Sequence, residues 1–464
     1  WTMRACGSLL LYVGLSALIS CCLSDEESNA GRTRTLMLVE DLSIPTTHSS
    51  LIQTLQKRGH HVSILRADDA KLEVASKSGE NLYDNMIIFA PRAEEFGNSL
   101  DVSDIMAFVD KGGNLLLASS PDASDYTREM TAECGLEMDE EIAYVQDHFQ
   151  HDAADDGSHT LIIADDIAAP EVMLGTAQIG PVLFRGTGFG ISDDNALVFP
   201  ILSAPSSSYL YQLNQAIRER PVALGASTLL IAAVQARNGA RVVVAGSMEI
   251  FSDKTLDQQV TRAGSSRRGE PSGNRQLMQG LLAWAFRERG VLRASPLRIR
   301  PDESHQSHGH VAGSGEHVRY HVGHSVHVSL DVQQLDAAGT WVPYAADSPV
   351  LLELRFLDPL LRIPLLPSPG APNGTLSATI VLPDQPGMYK LSVSHAPRGF
   401  SALALSEEIV VQPLPYGLRP RFLLSAYPYY ASAAGMVGAA VLLSLLLLFH
   451  QHAPDAPKPA HLKE

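Results

Sequence analysis

The sequence predicts an α/β chain: a doubly wound, mostly parallel sheet domain, followed by a β-sandwich domain and one C-terminal transmembrane helix. Three observations predict it. Short apolar runs alternate with amphipathic stretches up to Gly290, as parallel strands do when helices cover both faces of their sheet. From about Val318 the pattern changes to strand runs separated by Pro- and Gly-rich turns, which is the grammar of a sandwich. Ala431 to Phe449 carries no charge, and as a helix it would reach about 28 Å, enough to cross a hydrocarbon layer.

Met3 and Arg4, the apolar run Leu9 to Ile19 and the small residues through Ser24 read as a secretory signal peptide over residues 1–24, cleaved near Ser24. Trp1 and Thr2 precede the expected initiator and are given no role. The α/β domain is expected over residues 33–292. Thr35 to Asp41 is its first apolar run, and a helical stretch from Ser49 to Arg58 stops at Gly59, where a left-handed residue commonly ends a helix. His61 to Leu65, Asn85 to Ala90 and Asn114 to Ser119 are further strands, with the amphipathic Val102 to Asp110 between the last two. Leu229 to Ala236 and Ala240 to Ala245 bracket Asn238-Gly239, a pair suited to the positive φ angles of a two-residue hairpin. A helix from Arg275 to Arg289 closes the domain near Gly290.

Residues 301–316, rich in His, Ser and Gly, form the expected linker, and the sandwich is expected over 317–413. Its strands are Val326 to Val332, Val350 to Phe356, Leu376 to Leu382, Tyr389 to Val393 and Glu408 to Val411. In PDQPGMY, Asp384, Gly387 and Tyr389 suggest a corner in which a tyrosine hydroxyl bonds back to upstream backbone. Residues 427–449 form the membrane helix, with Tyr427, Tyr429 and Tyr430 at its interfacial edge. A cleaved signal leaves the body in the secretory lumen and 450–464 as a cytosolic tail. The charge bias of the flanks adds little to that orientation.

Composition excludes some functions. A formal net charge of -16 removes the basic footprint that nucleic-acid binding needs. Cys6, Cys21 and Cys22 fall in the signal, so Cys134 alone remains and cannot close a disulfide within the chain. Its surroundings, ECGLE, lack the first glycine of a nucleophile elbow, and a structural thiol is the better reading. Gly186, Gly188 and Gly190 are too closely spaced for a phosphate loop and have no P-loop lysine; they read as a turn. The histidines between His305 and His327 are read as linker and strand-surface residues rather than metal ligands. No metal, no cofactor and no catalytic residue is expected.

Glu40 and Asp41, Ser119 and Ser120, and Ser247, Glu249, Ser252 and Asp253 stand at or just beyond the carboxyl ends of expected strands, where open α/β sheets bind ligands. Glu40, Asp41, Ser119, Ser247 and Asp253 therefore form a candidate ligand crevice suited to a sugar. The plainer alternative is helix capping. Asn373 heads the one N-glycosylation sequon and should face the lumen. Ala431, Ala434, Gly435 and Gly438 form a small-residue stripe on which another membrane helix could dock.

The runs LYDNMIIFAP (Leu82 to Pro91), ECGLEMDEE, LFRGTG (Leu183 to Gly188), LLIAAVQARNGARVVVAGSMEIFSD (Leu229 to Asp253), GVLR and SAYPYYASA (Ser425 to Ala433) resemble the 48 kDa subunit family of the oligosaccharyltransferase complex. The resemblance spans nearly the whole mature chain. It implies a non-catalytic subunit in the endoplasmic-reticulum membrane, in a complex that moves oligosaccharide from dolichyl diphosphate to Asn of N-x-S/T sequons. It also implies partners: a polytopic catalytic subunit, the ribophorins and the small subunit called defender against cell death, with glycan or nascent chain as a further contact. The tail departs from the family, since it ends HLKE where many relatives carry a lysine pair for retrieval. Retention by assembly is expected instead. The alternative function is a free-standing type I secretory-pathway receptor or carbohydrate-binding module, which would run alone in gentle detergent.

Overall fold

The structure is a computed structural model that describes residues 33–450, apart from 77, 140–141, 170, 176–178, 192–194, 214–220, 222, 265–268, 302–319, 337–338, 346–347, 369–373 and 418–422. The signal peptide, nearly all of the His-rich linker, Asn373 and the tail after His450 lie outside the described residues. The chain forms two compact units, one of residues 1–300, 327–379 and 390–408 and the other of 301–326, 380–389 and 409–464.

In the first unit the apolar runs form strands β1 (Arg34–Val39), β2 (His61–Arg66), β3 (Asn85–Phe89) and β4 (Asn114–Ala118). Helices α1 (Ser49–Lys57), α2 (Val102–Asp110) and α3 (Asp125–Glu133) separate or follow them, and β5 (Val198–Ser203), β6 (Leu229–Gln235), β7 (Arg241–Ala245) and α4 (Asn274–Ala285) complete the frame. One eight-stranded sheet runs β2-β1-β3-β4-β7-β6-β5 and ends in the short strand Asp166–Ile167. Pairing is parallel from β2 to β7 and antiparallel from there to the edge.

Both faces of β1, β3 and β4 are dry, since successive strand side chains point to opposite sides and all but Arg34 are buried. Met37, Val39, Ile87 and Phe89 join a core with Leu51 and Leu55 of α1 and Leu277 and Leu281 of α4. Leu36, Leu38, Met86 and Ile88 join a second core with Ile105 and Phe108 of α2 and Met130 of α3. Each fully buried aliphatic side chain here contributes about 2 kcal/mol of transfer free energy. A single polar substitution in β1 or β3 would therefore tax one core or the other.

Two local expectations are corrected. The β6–β7 turn is not a two-residue hairpin: Gly239 N–H donates to Ala236 O (2.9 Å) and Ala236 N–H to Ala240 O (3.0 Å), and Gly239 alone takes a positive φ, of 84°. This is a three-residue loop, a turn followed by a left-handed glycine. Asn238 instead donates to Val109 O (2.7 Å) and Asp110 O (2.8 Å), satisfying carbonyls at the end of α2. Helix α4 ends at Ala285, not Arg289. The buried Arg241 guanidinium donates to Trp284 O, Arg289 O and Gly290 O at 2.6 Å each, and Arg287 turns left-handed at φ 60°. A cation that collects the terminal carbonyls from inside the core closes the helix early.

The strand-rich part contains β8 (Ser325–Leu335), β9 (Val350–Arg355), β10 (Pro359–Pro367), β11 (Thr375–Val381), β12 (Gly387–His395) and β13 (Leu403–Gln412). Alternation is clear in β8, where Val326, Val328, Leu330 and Val332 are buried and the residues between them, His327 included, are half-exposed. Strand β9 pairs with β10 and, through Leu352 to Arg355, with Lys390 to Val393 of β12. Strand β10 was not expected from the sequence, because Pro359, Pro364 and Pro367 argue against a strand.

Within the first unit the loop Pro397–Ser401 is tied to the α/β core. Trp284 Nε1–H donates to Gly399 O (2.7 Å), Ser401 N–H to Gly290 O (2.7 Å), and Leu292 N–H to Ser401 Oγ (2.8 Å). In the second unit, Tyr320 and His321 pair in parallel with Val411 and Gln412. The Tyr389 hydroxyl donates to Gln385 O at 2.8 Å, the back-bonded tyrosine that the PDQPGMY motif suggested. Helix α5 (Tyr427–Phe449) lies in this unit too, and none of its residues is buried.

Candidate functional site

The carboxyl ends of β1, β4 and β7 share one edge of the parallel sheet, so Glu40, Ser119 and Ser247 emerge together, as their positions after strands required. What each side chain does there follows from its partners. Asp41 is exposed and turned on itself, accepting from Ser43 Oγ–H at 2.8 Å. That hydrogen bond holds its carboxyl below the usual range. Ser119 is fully buried, with its N–H donating to Ala245 O (2.7 Å). Its hydroxyl lies 3.6 Å from Met138 Sδ. Ser247 is also buried and donates to Arg185 O.

Asp253 is the most engaged of the set. Its carboxylate accepts from Ser49 N–H (3.0 Å), Ser49 Oγ–H (2.8 Å) and Ser50 N–H (2.9 Å), capping α1 from a distant segment. Burial pushes the Asp253 pKa up, but these donors outweigh it and leave it lowered. Ser252 in turn caps the short helix Asp253–Leu256, accepting from Thr255 N–H.

Two partners at this edge were not anticipated. His48 is buried, packs edge-on against Phe89 at 5.3 Å between ring centroids, and places Nε2 3.2 Å from Met248 O. In the Nε2–H tautomer it stitches the loop after β1 to the loop after β7. Its place at the N-cap of α1 gives no sequence signal that distinguishes it from a surface histidine. Gly186 and Gly246 face each other so closely that a Cβ on Gly246 would lie 2.1 Å from Thr187 O, and one on Gly186 2.3 Å from Gly246 O. The glycine-rich run is thus a bend at Gly186 followed by a close backbone approach, in which Thr187 N–H donates to Gly246 O at 2.9 Å.

An open groove of about 520 Å³ lies elsewhere, between α2 and α3, lined by Asp101, Met106, Asp110, Tyr126, Glu129 and Glu133. Burial and then the charges of Asp101, Asp104 and Glu129 push the Tyr126 pKa up. Its hydroxyl therefore stays protonated and donates to Leu100 O (2.9 Å). Carboxylates beside a locked phenol offer acceptors to a cation but no base paired with a nucleophile. Cys134 is 5% exposed, and burial, helped by Glu133, pushes its thiol up to about 12, so no thiolate is available. Among the described residues no group of three His, Cys, Asp or Glu side chains is placed to hold a metal ion. The stripe Ala431, Ala434, Gly435 and Gly438 lies on α5, exposed along its length.

The fold and this edge define a class: a mixed α/β body with a large sheet, a strand-rich part, and one C-terminal apolar helix that fits a single membrane span. That span lies within Leu424–Phe449, where an 18-residue window reaches a mean hydropathy of 2.3. The chain matches the OST48 N-terminal domain over residues 26–288 and the OST48 middle domain over 305–451. It is 38% identical to the dolichyl-diphosphooligosaccharide–protein glycosyltransferase 48 kDa subunit of Danio rerio over 422 residues, 90% of this chain and 92% of that one. The subunits of the same name from Arabidopsis thaliana and Drosophila melanogaster are 35% and 36% identical, over 95% and 93% of this chain and 98% and 93% of theirs. The chain belongs to this 48 kDa subunit family. Among solved structures, the carbohydrate deacetylase Agd3 aligns at a TM-score of 0.32 and 10% identity, over 58% of this chain and 34% of that one, too low to bear on fold or chemistry.

Proposed function

We propose that this protein is a non-catalytic, structural subunit of the endoplasmic-reticulum oligosaccharyltransferase complex, which transfers a preassembled oligosaccharide from dolichyl diphosphate to Asn of N-x-S/T sequons. The observation that carries the reading is the family membership along the whole length, body and span together. The site geometry supports the non-catalytic part. Asp41, Ser247 and Asp253 are each engaged with the protein's own backbone or hydroxyls, and the one described thiol is buried. A single apolar helix without a charged side chain has no cation or carboxylate within the span with which to hold a lipid pyrophosphate or its metal.

The finer architecture belongs to the same proposal. Helices on both faces of the parallel strands, each over its own core, support a doubly wound domain. Alternating burial in β8 and the Tyr389 corner support a β-sandwich after it. The body faces the lumen and 450–464 the cytosol, as a cleaved signal would leave them. The partners are the polytopic catalytic subunit, the ribophorins and the defender against cell death subunit.

Extraction of the full chain in gentle detergent, sizing and mass spectrometry of what travels with it test the reading. A large particle containing the other subunits is expected, together with under-glycosylated client proteins when the chain is depleted. A chain that runs alone, or that turns over a glycan donor unaided, would falsify it.

A further inference from the structure

We infer that the outer face of the β9–β10 hairpin is a docking surface for another protein subunit, one that presents a carboxylate among apolar side chains. The inference rests on the proposed membership of a complex and names the surface involved. Alternation in β9 buries Val350, Leu352 and Leu354 and turns Leu351, Glu353 and Arg355 outward. Registry with β10 sets Pro364 beside Leu351 and Arg362 beside Glu353 on that outer face. A register shift after Leu354 leaves Leu360 as an extra residue on β10, next to the turn. At that end Leu357 is 89% and Leu360 56% exposed, and at the other end Leu366 is 62% exposed. Large apolar side chains concentrated on one hairpin in this way mark a surface that something covers.

The centre of the face is ionic and already arranged. Glu353 accepts from Arg355 Nε–H (2.9 Å) and lies 2.5 Å from Arg362 Nε, and its side chain is only 14% exposed. The arginine side chains are 46% and 59% exposed. Each guanidinium has five N–H donors, of which Glu353 takes only some. The rest can grip a second carboxylate bidentately, with the rotamer cost already met by Glu353. Arginine among aliphatic side chains is the usual make-up of an interface centre.

A bilayer fits this face poorly. It would take Leu357 and Leu360 at the tip and leave Leu351 and Leu366 in water, roughly 10 Å or more behind the arginines at about 3.3 Å per residue. A protein surface covers both ends. Strand addition is opposed as well, since Pro359, Pro364 and Pro367 give β10 no N–H at those positions. Docking is therefore through side chains.

The test uses the full chain in cells lacking the native copy. In one variant Leu357→p-benzoylphenylalanine is photolysed before gentle extraction; two others carry Leu357→Ser with Leu360→Ser, and Arg355→Glu with Arg362→Glu. A crosslink to a different polypeptide is expected, with about tenfold lower recovery of that polypeptide from both double variants. The serine pair is at exposed positions and should melt at the wild-type temperature, which separates lost docking from lost folding. Adducts with lipid or with a second copy of this chain, or full recovery of companions by the serine pair, would overturn the inference. If the wild-type chain itself travels alone, the fault lies in the proposed function; if it travels with companions and the variants do too, only the hairpin assignment falls.

Discussion

At the scale of single residues, three side chains carry loads that measurement can weigh. Asp253 satisfies the first turn of α1 from more than 200 positions away in sequence. Asp253→Ala should cost about 1–2 kcal/mol. Because its folded pKa is lowered, the contribution is complete above the ordinary value of 3.8 and fades as pH falls through the lower folded value. Denaturant titrations should thus show a wild-type advantage at pH 7 that shrinks near pH 3; an advantage independent of pH would assign it to packing instead. Cys134, with its thiol pushed up to about 12, should resist maleimide at pH 8 in the folded chain and react once denatured. Arg241 is buried with its guanidinium over the Trp284 ring at 4.9 Å, and burial lowers its pKa to about 9, so it stays charged at neutral pH. Arg241→Met removes its three bonds to Trp284, Arg289 and Gly290 oxygens and should cost about 3 kcal/mol or more by denaturant titration, given roughly 1–3 kcal/mol per stranded buried acceptor. Arg241 gives no sign in sequence of being a buried keystone, since its partners are backbone carbonyls, which no residue pattern encodes.

At the scale of elements, what the sequence could reveal depended on whether a residue's neighbours in the chain were also its neighbours in space. β1, β3, β4 and α2 were legible within a residue or two, because burial on both sheet faces demands unbroken apolar runs and a helix on the sheet demands a 3.6-residue stripe. The antiparallel edge formed by β5 and Asp166–Ile167 was not, since β5 shifts register against β6 and Asp166–Ile167 is only two residues long. β10 hid behind its own prolines. Asn238-Gly239 marked the right turn and the wrong geometry: asparagine was spent on α2, leaving only glycine in the left-handed region. Gly239→Ala should accordingly cost about 1–2 kcal/mol, the penalty of a Cβ at positive φ, while Asn238→Ala should cost about 1 kcal/mol through the freed carbonyls of Val109 and Asp110. A Gly239→Ala variant as stable as the wild type, or an Asn238→Ala variant that loses nothing, would contradict this division of labour. At the strand ends the positions of these residues follow from the strands, but their partners, Ser49 and Ser50 at the start of α1 and Arg185, come from separate segments that only folding brings near.

At the scale of the whole molecule, the question is what makes the α/β core and the strands after it behave as one body within the first unit. The loop around Gly399 is the fastening, and its geometry leaves no slack. Gly290 sits at φ 65°, and a Cβ there would lie 2.3 Å from Gly399 O, the same oxygen that accepts from Trp284 Nε1–H. Gly290→Ala must therefore push the loop away, and with it go the Trp284 bond and the bond from Ser401 N–H to Gly290 O. Left-handed strain alone would cost about 1–2 kcal/mol and lower a single melting transition. Loss of the fastening has a different signature: the strand-rich part should melt separately from the core, and Arg398, exposed on the loop, should become a tryptic site before the core unfolds. Ser401→Ala provides the comparison, since it removes only the hydroxyl that accepts from Leu292 N–H and should weaken the joint without opening it. One cooperative transition in Gly290→Ala with Arg398 still resistant would mean that the two parts are coupled by something other than this contact. Two transitions with early cleavage at Arg398 would mean that the platform carrying the β9–β10 hairpin depends on the Gly290–Gly399 contact for its hold on the core.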